Sequence, residues 1–221
     1  MANRISFLVF STLASLSISN SYFTQTDESQ KPNRVENTFY TSRIINGHSN
    51  EVLEKNTLEF RVEHKFGDMF GSAGGIDQFF GLDNSADIRI AFEYGITDFA
   101  MVGLGRCKGA GPYRGIIDGF VKSRILSQMD DESIPLSLTF VGSGILSYVR
   151  ASTDLSSITS YPDFSHRLAY AGQFIATRNF KDKLSLAVMP TYVHRNLVLF
   201  DDQNMLFSLG GAFNYRINDK F

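Results

Sequence analysis

The residues that could do chemistry are four histidines, one cysteine and scattered carboxylates. His48, His64, His166 and His194 would ligate a metal if they converged, but no two share the i, i+2 or i, i+4 spacing of one strand or helix face. His194, Arg195, Asp201, Asp202, Gln203 and Asn204 crowd one loop. Carboxylates beside amides suit Ca²⁺, yet the Asp-x-Asp-x-Asn-Gly order of a calcium loop is absent, so hydrogen bonds that fix a hairpin are the expectation. Ser165-His166 are adjacent, and neighbours on a strand point to opposite faces, so they do not make a nucleophile and its base. There is no Gly-x-Ser-x-Gly, and Gly142-Ser143-Gly144 reads as strand. Cys107 sits between Arg106 and Lys108, whose charges favour a thiolate, but no base accompanies it. The Gly-rich run from residue 67 to 75 lacks the Gly-Lys-Ser/Thr ending of a phosphate cradle and reads as a mobile external loop. The expectation is a protein that is not an enzyme and holds no metal or cofactor.

The remaining charges sit on alternating segments. Leu58, Phe60, Val62 and Phe66 interleave with Glu59, Arg61, Glu63 and Lys65; Ile88, Ile90, Phe92 and Tyr94 interleave with Asp87, Arg89 and Glu93. Asp118, Lys122 and Arg124 oppose Ile117, Val121 and Ile125, and Arg167 precedes another such run. A period of two over 8 to 10 residues means a strand with one apolar and one polar face. Further runs start near residues 99, 136, 168, 184 and 207, which makes eight strands and no helix longer than two turns. Glu59, Arg61, Glu63, Lys65, Asp87, Arg89, Glu93, Asp118, Lys122, Arg124 and Arg167 carry both signs in near balance, and are the candidate lumen-facing charges of a barrel.

Composition fits this reading. The chain has 221 residues, 43% hydrophobic and 20% charged, with 20 Phe, 18 Gly, 5 Pro and no Trp. A net charge of −2 offers no basic field for nucleic acid. One cysteine excludes an internal disulfide framework. Residues 1–21 place Arg4 before a short apolar stretch and then small residues, the pattern of a secretory signal. Residues 22–37 are polar and read as a flexible lead-in. Residues 38–221 form the barrel domain, its part at 38–49 serving as an additional strand or a periplasmic clamp.

Connection lengths alternate. Residues 67–84, 107–115, 149–165 and 194–204 form the longer set, and 95–98, 127–134 and 178–183 the shorter. Short turns on one side and longer loops on the other mark an outer-membrane barrel. Ile96-Thr97-Asp98-Phe99, Phe180-Lys181-Asp182-Lys183-Leu184 and Ile217-Asn218-Asp219-Lys220-Phe221 share one turn pattern. The third would launch a ninth strand, so the chain reads as truncated at its C-terminus. The alternative is a complete eight-stranded barrel with a side-chain-filled interior. Periodicity does not say which face looks outward, so a soluble periplasmic barrel that binds an apolar ligand stays open.

Five separated stretches are more specific than strands require: Ser42-Arg43-Ile44-Ile45-Asn46-Gly47-His48-Ser49; Phe80-Gly81-Leu82-Asp83 with Ala86-Asp87-Ile88-Arg89; Glu93-Tyr94-Gly95-Ile96-Thr97-Asp98; Asp118-Gly119-Phe120-Val121-Lys122; and Met189-Pro190-Thr191-Tyr192-Val193-His194-Arg195-Asn196-Leu197 with Asp201-Asp202-Gln203-Asn204. Together, over residues 40–216, they resemble an uncharacterised outer-membrane β-barrel family of Gram-negative bacteria, a domain of unknown function. The resemblance implies an outer-membrane location, carries no activity, and suggests relatives with further strands. The expected fold is thus all-β: an antiparallel up-and-down transmembrane β-barrel with at least eight strands. Its expected partners are outer-membrane lipid and an envelope or periplasmic protein. Its expected role is a passive channel for small solutes or a structural envelope protein.

Overall fold

The computed structural model describes residues 5–8, 33–44, 47–71, 74–83, 85–109, 114–181 and 183–217. Eight strands follow one another in antiparallel order: β1 (Leu58–Phe66), β2 (Ser85–Thr97), β3 (Ala100–Lys108), β4 (Gly115–Leu126), β5 (Ser137–Ser147), β6 (Leu168–Phe180), β7 (Leu184–Arg195) and β8 (Met205–Tyr215). Each pairs with its chain neighbour, and β1 and β8 are not paired with each other, so the sheet is open. Ile5–Leu8 lies parallel to β1 at its outer edge. The rest of the expected export signal, the lead-in at 22–32 and the third turn copy at 218–221 lie outside the described residues.

The alternation seen in the sequence is the alternation of the sheet's two faces, because side chains on a strand point alternately up and down. The face of Ile88, Ile90, Phe92, Tyr94, Leu104, Val121, Phe174, Val188, Leu209 and Phe213 is exposed. The opposite face buries Glu59, Arg89, Glu93, Lys122 and Arg124 beside Met101, Phe120, Val141 and Ile175. This inverts a soluble barrel, whose apolar set points inward. The soluble alternative therefore fails on the direction of the faces: an exposed apolar band around a polar interior suits lipid, not water.

The connections 98–99 and 181–183 are short at one end, and 67–84, 148–167 and 196–204 are long at the other. The alternation is not strict, since 127–136 at the short-turn end is longer than 109–114. The only helices among the described residues are the 3-10 turns Ile76–Gly81 and Phe164–Arg167. The expected flexible lead-in is tied down at residues 33–36. Arg34 bridges Met129, and the Val35 amide donates to the Gln128 carbonyl at 2.9 Å. The chain thus enters at the short-turn end, beside residues 127–136.

Candidate functional site

Residues 38–44 and 47–53 lie against the charged face, and this was not legible as such in the sequence. They enter near the short turns, form a hairpin whose arms pair at Arg43–Ile44 and Gly47–His48, and return to the short-turn end. There the Asn56 amide donates to the Gly95 carbonyl at 2.8 Å, just before β1 begins. Thr38, Phe39, Ser42, His48, Ser49 and Asn50 are buried. Phe39 packs with Met101, Phe120, Val141, Ile175, Ala187 and Met189, a small apolar cluster inside an otherwise polar face.

Lys122 of β4 clamps the hairpin. Its side chain is buried, and its ammonium donates to the Ser42 carbonyl at 3.0 Å and to the Glu51 carbonyl, one on each arm. Arg124, one step nearer the short turns on the same face, donates to the Asn50 carbonyl at 3.4 Å and pairs with the Glu51 carboxylate at 3.2 Å. An ammonium removed from water needs such acceptors, because an unpaired buried charge is costly.

The hairpin's own cation completes a second cluster. Arg43 pairs with Glu93 at 2.8 Å, and Glu93 is fully buried. Arg61 and Arg89 each stand 3.8 Å from the same Glu93 oxygen. Arg61 also pairs with Glu59 and donates to the Ser42 hydroxyl at 2.9 Å. Arg89 pairs with Glu63 at 3.1 Å and with Asp118 at 2.6 Å. Asp118 is on β4 and Arg89 on β2, so this pair crosses over β3. Gly105 of β3 leaves the space: a Cβ there would stand 2.7 Å from both the Arg89 guanidinium and the Asp118 carboxylate. Gly103 likewise lies under the Phe120 ring, which a Cβ would strike.

His48 is the hairpin's titratable group. Its ring meets Phe120 edge-on with centroids 4.5 Å apart, and Arg43 lies over the same Phe120 ring at 4.8 Å. Burial, then the charges of Arg43, Lys122, Arg89 and Arg61, push the imidazole far below its ordinary value, to about 2. It is neutral in this site. A cavity of about 630 Å³ is lined by Thr41 and Arg43 of the hairpin and by Arg61, Glu63, Arg89 and Asp118 of the sheet.

Of the charges expected in a lumen, Glu59, Arg61, Glu63, Arg89, Glu93 and Asp118 come together in this network, and Lys122 and Arg124 hold the hairpin. Lys65 and Asp87 stand opposite each other in the β1–β2 register at the long-loop end. Arg167 makes its contacts at the long-loop end. It lies in the 3-10 turn before β6, donates to the Ser147 and Val149 carbonyls at 3.1 and 2.6 Å, and covers the Tyr161 ring, so it ties the long loop down. In the loop cluster, Arg195 pairs with Asp202 at 3.0 Å and donates to the Gln203 carbonyl at 2.8 Å. Asn204 donates to the Arg195 carbonyl at 2.6 Å, and His194 stacks on Tyr170. These bonds close the β7–β8 hairpin, and Asp201 lies in its exposed tip. The Asp202 carboxyl is held below its ordinary range by the Arg195 hydrogen bond. His166 accepts from the Asp163 amide at 3.1 Å, an end to its own turn. Among the described residues no three His, Cys, Asp or Glu gather as metal ligands.

Phe39, Ser42, Arg43, His48, Asn50 and Glu51 were missing from the sequence-derived site. The hints were the stretch 42–49 ahead of the first strand and the expectation of an additional strand or periplasmic clamp at 38–49.

A family model described as a membrane bound beta barrel domain (DUF5777) matches residues 39–221. The chain belongs to that family. The match begins at Phe39, so it takes in the inserted hairpin as well as the sheet, and the outward apolar face agrees with a membrane-bound barrel. The family's description gives no role. No curated protein and no solved structure matches the chain.

Proposed function

We propose that the protein is an outer-membrane β-barrel whose charged inner face is a path for small solutes, held closed by residues 38–53. The observation that carries this is the Lys122 ammonium, buried in the sheet's polar face and bonded to both arms of the hairpin. The apolar exterior supports the membrane part, and the export-like pattern of residues 1–21 supports the outer membrane. Near-balanced ion pairs along the path support weak ion selectivity once it opens.

The test is conductance in planar bilayers, with intact protein beside Lys122→Met. The variant keeps the bulk of the side chain and takes the ammonium away from the Glu51 carbonyl and from the Ser42 carbonyl, which keeps the Ser49 amide at 3.1 Å; this weakens docking of the hairpin by about 1–3 kcal/mol. The expectation is a nearly silent intact protein and frequent, weakly selective openings for the variant. A variant that still shows a heat-modifiable folded band on a gel, yet passes no current, would sink the channel reading and favour a structural envelope protein.

A further inference from the structure

The carboxylates of the eight strands, Glu59, Glu63, Asp87, Glu93 and Asp118, all lie on the inner face, so the outward face of the strands carries no negative charge. It does carry positive charge. On β3 the outward set runs Val102, Leu104, Arg106, Lys108, passing from apolar to basic towards the long-loop end. Arg106 stands in register with Ile90, and Lys108 with Ile88, which pairs in turn with His64 of β1. Ile88, Ile90 and Leu104 are exposed, and so are the three basic residues. Strands ~4.8 Å apart with ~3.4 Å per residue put the three backbone positions within about 12 Å of one another. Arg106 is held in place. Tyr148, just after β5, donates its amide to the Gly115 carbonyl at 3.0 Å, and its ring lies over Gly115, where a Cβ would stand 2.5 Å from it. The Arg106 Nε donates to the Tyr148 hydroxyl at 3.1 Å, with the guanidinium centre 5.4 Å from the ring centroid. Among the described residues neither Arg106 nor Lys108 pairs with a carboxylate. Arg178, outward at the short-turn end, has Glu132 at 3.5 Å.

We propose that Arg106, Lys108 and His64 bind the phosphate of an anionic lipid headgroup in the leaflet at the long-loop end. Such a site needs the membrane-bound barrel and not the solute path. Position points to lipid, because the three residues face outward beside exposed Ile88, Ile90 and Leu104. Charge points to an anion. With no carboxylate on their face, the cations draw their counter-charge from the membrane, where each lysine or arginine near the surface attracts anionic lipid. The donors point to phosphate. A planar guanidinium offers paired N–H groups to two oxygens of one phosphate, and a lysine adds a point charge. The long stems of both side chains let their charged ends climb from the apolar band to the headgroup layer.

The absence of tryptophan gives a clean test. Ile90→Trp, in register with Arg106, introduces a lone fluorophore, and Phe213→Trp, on the outward face of β8, supplies a distant reference. Each variant, checked for a heat-modifiable folded band, is reconstituted in phosphatidylcholine vesicles holding a minor share of phosphatidic acid. The brominated acyl chains are carried by one lipid or by the other, and the ratio of the two quenching efficiencies reports local enrichment of phosphatidic acid. The expected enrichment at Ile90→Trp is at least about fivefold over the reference, the contribution of one cation near the surface. Adding Arg106→Gln and Lys108→Gln should return the ratio to the reference value with the folded band kept, and Lys108→Gln alone, at the exposed end of β3, should lower it part of the way. Inorganic phosphate at constant ionic strength should leave it unchanged. Four results would overturn the proposal. One is a ratio no higher than at Phe213→Trp, as for cations that meet only water. The second is a ratio that the substitutions do not lower. The third is equal enrichment of a brominated fatty acid, which carries a carboxylate and no phosphate. The last is displacement by inorganic phosphate, which would make the free ion the ligand.

Discussion

Acidification offers a sharp perturbation of the inserted hairpin, because His48 is neutral where it docks. Its imidazole falls to about 2 in the site and returns to an ordinary value near 6.5 when the hairpin leaves. The undocked hairpin therefore binds a proton that the docked one excludes. Docking is at full strength above pH 6.5 and weakens as pH falls towards 2, by about 1.4 kcal/mol per pH unit. At pH 5 the undocked state gains a factor of about 33, or about 2 kcal/mol. The charges that oppose a protonated ring come from every side: Arg43 on the hairpin, Arg61 on β1, Arg89 on β2 and Lys122 on β4. Glu51, Glu59, Glu63 and Glu93 share the site, so a variant must isolate the histidine. His48→Phe keeps an edge-on ring against Phe120 and cannot be protonated. Hydrogen exchange of the amides in residues 38–53, corrected for intrinsic rate, measures docking from pH 4.5 to 7.5. Intact protein should lose protection with a slope of about one proton below pH 6.5, and the variant should be flatter by that one proton. Equal slopes for both proteins would refute the reasoning.

The sheet side of the site yields three more expectations. Glu93→Gln removes the carboxylate on which three guanidinium groups converge, so it should destabilise the fold by on the order of 3 kcal/mol, read as a lower temperature for conversion of the folded gel band. Gly105→Val pushes a side chain between Arg89 and Asp118 and should cost about 1–3 kcal/mol, whereas Gly119→Ala, whose Cβ meets nothing closer than 3.5 Å, should leave the same band unchanged. Asp202→Asn weakens only an exposed hairpin bond, so thermal conversion should stay within error of the parent protein, with or without added Ca²⁺.

The strands were legible because a period of two is a local property: Ile88, Ile90 and Phe92 declare one face whatever surrounds them. Which way that face points was not legible. Direction depends on what the other face must cover, and that is decided by residues far away in sequence. The inserted hairpin shows why. Residues 38–53 have no apolar period, and their partners lie 19 to 89 positions on, as Ser42 with Arg61 and Lys122, Arg43 with Glu93 and Asn50 with Thr139. The same distance effect hides the partners of Arg167, the Ser147 carbonyl at the end of β5 and the Val149 carbonyl in the loop after it, 20 and 18 positions back. Gly105 was visible as a small residue in a strand, but its use, as clearance for a pair joining β2 to β4, appears only when three strands lie side by side.

Both ends of the hairpin leave the sheet at the same rim, near the short turns. Nothing has to be threaded through the molecule to take it out. A tension applied to the chain ahead of residue 33 would load its contacts one after another, first the Arg34 and Val35 bonds, then Phe39, then the Lys122 clamp. Contacts loaded in sequence yield like a zip, at low force and over a long extension. A segment anchored at opposite rims would instead resist in shear, all contacts at once. The insertion is therefore strong against thermal escape yet weak against a directed pull from the short-turn side.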